Sequence, residues 1–74
     1  MERISNKEKR NMKRANRAGS ALRHYQKNGR KACGPVGEED LIDLLTDLRH
    51  AAAKYSWDFD AAARISEGHY AEEV

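Results

Sequence analysis

The 74-residue chain has little of what builds a core by itself. Leu, Ile, Val and Phe together occupy only eleven positions, and the aromatics are one Phe, one Trp and three Tyr. So low an apolar fraction, in a chain that is 35% charged, borders on compositions that stay disordered. At this length there is room for one domain at most, and a large active-site cavity would consume its core. The single cysteine, Cys33, excludes an internal disulfide and suits a reducing compartment. No run approaches the roughly 18 apolar residues that span a bilayer. The opening MERISNKEKR also lacks the apolar segment that follows the charges of a signal peptide. The expectation is a cytoplasmic protein without a membrane association.

What the chain does have is charge, unevenly placed. The net charge of +2 hides a division after Lys31. Residues 1–31 carry eleven Lys or Arg against Glu2 and Glu8, a balance of +9, and residues 32–74 carry a balance of −7. A chain polarised in this way neutralises itself, pairs with a copy, or offers two oppositely charged faces to partners.

The pattern predicts an all-α fold of three helices in one domain over 1–74, a basic amphipathic first helix followed by a helical hairpin. Ser5 followed by Glu8 has the capping-box spacing, in which each side chain satisfies the other's backbone amide, and it opens a helix over 6–27. At roughly 100° per residue, Met12, Ala15, Ala18, Leu22 and Tyr25 share one arc, and Lys9, Arg10, Lys13, Arg14 and Arg17 share the opposite one. The apolar side is thin before Leu22, and Gly19 weakens the helix by about 1 kcal/mol relative to Ala. Residues 28–37 hold three of the five glycines and the only proline and read as a linker. Glu38, Glu39 and Asp40 then favour the positive end of a second helix over 38–55. Its apolar side is Leu41, Leu44, Leu45, Leu48, Ala52 and Tyr55, and Glu39, Asp43 and Asp47 form an acidic ridge elsewhere on it. Ser56 or Asp58 caps a third helix over 58–71, with Phe59, Ala62, Ala63, Ile65, Ser66, His69 and Tyr70 on its inward arc and an Asp60–Arg64 pair outside. Ten of the larger apolar and aromatic side chains fall between Leu41 and Tyr70, so the folded nucleus is expected there.

Catalytic and metal chemistry find little support in the residues. His24, Cys33, His50 and His69 form no short ligand pair such as CxxC or HxxxH, so no metal site is expected. His69, beside an apolar stripe, reads instead as a partly buried, hydrogen-bonded side chain, and His50 as a surface residue near Asp47. Helical pyrophosphatases hold magnesium with carboxylates on facing helices, whereas Glu38, Glu39, Asp40, Asp43 and Asp47 all lie on one. No nucleophile elbow, phosphate-binding loop or dinucleotide fingerprint is present. The expectation is a protein that is not an enzyme and needs no cofactor.

For the basic arc the plainest reading is a solvated helix face. Beyond that, Lys9, Arg10, Lys13, Arg14 and Arg17 could meet an acidic protein surface, or track a phosphate backbone with steep salt dependence. No helix-turn-helix spacing accompanies them to read bases. The ridge of Glu39, Asp43 and Asp47 reads first as solvated too; regularly spaced carboxylates can also occupy sites built for phosphate chains.

DLLTDLRH at residues 43–50 and DFDAAARISEGHYAEE at residues 58–73 occur in that order after a basic helix. In this the chain resembles short all-helical proteins of bacteriophages and mobile elements with the pattern DLLTDLxH followed by DFDxAxRxSxxHYxxE. The resemblance covers residues 38–73, about half the chain. It implies no activity that can be assigned residue by residue, and gives His50 and His69 structural or contact roles. It also implies a small accessory protein, a class in which inhibitors of host defence complexes and small regulators are common. AAAKYSW at residues 51–57 replaces a Gly-containing join, so the second helix is expected to run on before it breaks. The expected function is binding of a macromolecule, most concretely a protein of a host defence complex, with nucleic acid as the alternative partner. A core this small with an apolar stripe on every helix is further expected to favour a homodimer.

Overall fold

The computed structural model describes residues 4–29 and 34–74; Cys33 and the cations Arg3, Arg30 and Lys31 lie outside them. The described residues form three helices, α1 (Asn6–Lys27), α2 (Glu38–Tyr55) and α3 (Phe59–Glu73), with no strand. The all-α expectation holds, and the limits of α1 and α2 fall where the sequence places them; α3 begins at Phe59, with Asp58 as its cap, and continues to Glu73.

Local chemistry accounts for the ends. The Ser5 hydroxyl accepts the Glu8 N–H at 3.1 Å and opens α1. Gly37 precedes α2, and its N–H donates to Asp40 Oδ2 at 2.9 Å, placing a carboxylate in the first turn. Asp58 caps α3 by accepting the Ala61 N–H at 3.0 Å. Ser56 takes the other role: with φ 60° and ψ 36° it terminates α2 in the left-handed conformation. The Trp57 N–H reaches the Ala52 carbonyl at 2.8 Å and the Ser56 N–H reaches Ala53 at 3.4 Å, the paired bonds of a Schellman stop. A serine stands where glycine is usual, at a cost of roughly 1–2 kcal/mol.

The helices touch near their ends and close into a flat ring. The end of α1 meets the first half of α2 through Gln26 and Asp40 and through Tyr25 and Asp47. The second half of α2 meets the start of α3, where the Arg49 guanidinium lies 4.3 Å from the Phe59 ring centroid and pairs with Asp60 at 3.2 Å. The end of α3 returns to the first half of α1, where Glu73 receives Arg14 and Asn11. The extents are 47 × 32 × 15 Å, so the helices form a single layer.

The apolar interior is correspondingly small. Ala52 is the only buried hydrophobic residue described, joined in burial by Gln26 and Asp40. The nucleus expected between Leu41 and Tyr70 is therefore not closed within the chain: Leu41, Leu45, Leu48, Tyr55, Ile65 and Tyr70 are all exposed. The inward arc expected of α3 is likewise uncovered except at Phe59, because α3 meets α2 at its first turn and then diverges toward α1. His69 is exposed, which corrects the expectation of partial burial. Asp60 bonds to Arg49 on the neighbouring helix, a cross-helix partner that spacing along α3 does not reveal.

Candidate partner-binding surface

The basic arc survives folding as an exposed surface. Lys9, Arg10, Lys13, Arg14 and Arg17 are all exposed on the second to fourth turns of α1. Lys9 and Arg17 stand eight residues apart, a rise of about 12 Å.

Arg14 differs from the other four. Its Nε lies 2.7 Å from Glu73 Oε2, and its Nη1 donates to Asn11 Oδ1 at 2.7 Å. Asn11 Nδ2 in turn donates to the Glu73 carbonyl at 2.7 Å. Arg14 sits at the border of the basic arc nearest α3, and there it locks the two helices together. Lys9, Arg10, Lys13 and Arg17 are exposed and form no ion pair among the described residues.

The acidic ridge stands elsewhere. Glu39, Asp43 and Asp47 are exposed on α2, and the Tyr25 hydroxyl donates to Asp47 Oδ2. Tyr25, Asp43, Asp47 and His50 border an open hollow between the end of α1 and α2. The ridge thus faces the apolar side of α1, and the basic arc's one described ion pair is to Glu73 of α3. Among the described residues, no ion pair joins Lys9, Arg10, Lys13, Arg14 or Arg17 to Glu39, Asp43 or Asp47.

The joint that sets these positions was not expected. Gln26 Nε2 donates to Asp40 Oδ2 and to the Pro35 carbonyl, both at 3.3 Å. Asp40 Oδ2 also receives the Gly37 N–H, so one carboxylate ties α1, the linker and α2. A signal for it exists in the sequence. At roughly 100° per residue, Asn11 and Gln26 fall inside the arc of Met12, Ala15, Ala18 and Leu22. Both amides bond to other elements, Asn11 to α3 and Gln26 to the linker and α2.

No group of three or more His, Cys, Asp or Glu among the described residues is arranged to hold a metal ion. No described helix is long and apolar enough to cross a membrane. No protein-family model, curated protein or solved structure matches the chain.

Proposed function

We propose that the protein is a non-catalytic accessory protein that works by binding a macromolecule through the basic arc of α1. Its most concrete form is a cytoplasmic inhibitor of a host defence complex, of phage or mobile-element origin, that engages an acidic protein surface. The observation that supports the reading most is the exposure of Lys9, Arg10, Lys13 and Arg17 on one arc of α1, with no ion pair to an acid among the described residues. Such a strip favours encounter with a surface of opposite sign and rejects surfaces of like sign. The phage setting comes from the resemblance carried by residues 38–73. The test is to express the chain in bacteria that carry an active defence complex and to count phage infections. Infection is expected to recover by orders of magnitude, and Arg10→Glu with Lys13→Glu is expected to abolish the recovery. An equal recovery with the reversed charges would remove the basic arc from the mechanism.

A second reading, a small nucleic-acid-binding regulator, draws on the same four cations, whose rise along α1 suits a phosphate backbone. It calls for a mobility shift on DNA or RNA whose affinity falls by roughly tenfold or more as salt is raised severalfold. Charge reversal at Arg10 that leaves such binding unchanged would eliminate it.

A further inference from the structure

The last turn of α3 holds Glu72 and Glu73 and no basic residue. The carbonyl end of a helix carries partial negative charge and is stabilised by cations, so two carboxylates there sharpen the demand for one. α1 supplies it from the side. Arg14 Nε meets Glu73 Oε2 at 2.7 Å, and Asn11 Nδ2 donates to the Glu73 carbonyl at 2.7 Å. Because Arg14 Nη1 also donates to Asn11 Oδ1, the two side chains act as one clamp on one residue.

Little else holds the end of α3. Among the described residues, the hydrogen bonds and the ion pair between α1 and α3 all lie at Asn11, Arg14 and Glu73. From Ala62 to Glu72 every residue of α3 is exposed, so no apolar burial backs the clamp. The start of α3 is fixed separately, by Arg49 against Phe59 and Asp60. Releasing the end therefore costs one hydrogen bond and one ion pair whose side chains are 47% and 31% exposed, and leaves the other two joints intact.

Arg14 is also a member of the basic arc, roughly 40° from Arg10 and 60° from Arg17 around α1. Its guanidinium is occupied by the chain's own carboxylate, and Glu73 sets a negative charge at the border of a strip that attracts negative partners. We propose that the end of α3 is an internal competitor for the basic arc: an acidic polypeptide that engages the arc displaces Glu73 from Arg14, and the ring opens as it binds. This rests on the arc being the binding surface, as proposed above. The clamp itself favours a polypeptide. Asn11 and Arg14 hold a carboxylate and the backbone carbonyl of the same residue, a pair that a protein segment supplies and a sugar–phosphate backbone does not. The coupling is reciprocal, so the factor by which Glu73 weakens binding is the factor by which binding weakens the clamp.

Fluorescence anisotropy with a labelled oligoglutamate peptide at low salt, on the full chain, tests the competitor. Glu73→Gln is expected to bind the peptide about two- to fivefold more tightly than the wild type, the range set by an exposed ion pair. Glu72→Gln removes the same charge one residue from the clamp and is expected to gain less. An oligodeoxynucleotide of equal charge is expected to gain less from Glu73→Gln than the peptide does. Saturating peptide is expected to quicken hydrogen exchange in the last turn of α3 of the wild type and to leave its first turn unchanged. Equal affinity of the wild type and Glu73→Gln, an equal gain from Glu72→Gln, or unchanged exchange in the last turn would overturn the competitor and leave the arc standing. A larger gain on the oligonucleotide would overturn the choice of polypeptide. Absence of peptide binding by either chain, or binding that survives Arg10→Glu with Lys13→Glu, would overturn the arc and the competitor with it.

Discussion

Replacing Asp40 with alanine tests the joint that positions every other element. Asp40 is 6% exposed, and one of its oxygens receives the Gly37 N–H at 2.9 Å and the Gln26 amide at 3.3 Å. A hydrogen bond to a charged group contributes about 1.5–3 kcal/mol, and a carboxylate in the first helical turn adds about 0.3–1 kcal/mol. Gln26 keeps the Pro35 carbonyl as an acceptor, so its amide is not stranded and the loss falls toward the lower end. The expected cost of Asp40→Ala is about 2–3 kcal/mol, a large share of the stability of a domain with so little buried apolar surface. At about 4–8 °C per kcal/mol, the melting midpoint falls by roughly 10–20 °C. Thermal unfolding followed by far-ultraviolet circular dichroism reads this directly, with both chains compared at the same protein concentration. Asp40→Asn keeps an acceptor without the charge and is expected to lose about half as much. A double-mutant cycle with Gln26→Ala isolates the cross-helix term, expected at about 0.5–1.5 kcal/mol. A cost for Asp40→Ala below about 0.5 kcal/mol, the range of an ordinary surface change, would refute the joint.

Other substitutions follow from local geometry. Ser56→Gly relieves the left-handed residue at the end of α2 and is expected to stabilise the protein by about 0.5–1 kcal/mol, read from the same melting curves. Gly19→Ala adds a methyl group where nothing lies within 4 Å, and is expected to strengthen α1 by up to about 1 kcal/mol, seen as added helicity. Arg14→Ala breaks a partly exposed ion pair and is expected to cost less than about 1 kcal/mol while freeing the end of α3. Hydrogen exchange should then quicken over the last turn of α3, with the first turn unaffected.

The sequence carried the helices well and their packing poorly, for a physical reason. Caps and breakers act over three or four residues, so Ser5, Gly37 and Asp58 mark helix starts in the order of the chain itself. Apolar arcs show which side of a helix avoids water, but not whether the chain covers it. Leu41, Leu45, Leu48, Ile65 and Tyr70 read as core and stand exposed, because α3 diverges from α2 after its first turn. The contacts that set this path are polar and distant in sequence: Gln26 to Asp40, Arg49 to Asp60, Arg14 to Glu73. Two of them involve residues that periodicity assigns to the solvated side, where any cation could serve any acid. The candidate surface was legible as a pattern of charge. Its division into Arg14, which holds the ring, and Lys9, Arg10, Lys13 and Arg17, which face outward, required the fold.

Binding through these four outward cations is tested most directly by affinity capture at physiological salt. Nuclease-treated host lysate removes nucleic acid as a bridge, and the wild-type chain is compared with Arg10→Glu, Lys13→Glu, Arg17→Glu in one variant. The wild type is expected to retain a discrete protein, and the variant at least tenfold less of it while remaining helical. Equal recovery on both chains, or no protein retained by the wild type, would contradict the proposed role of the basic arc.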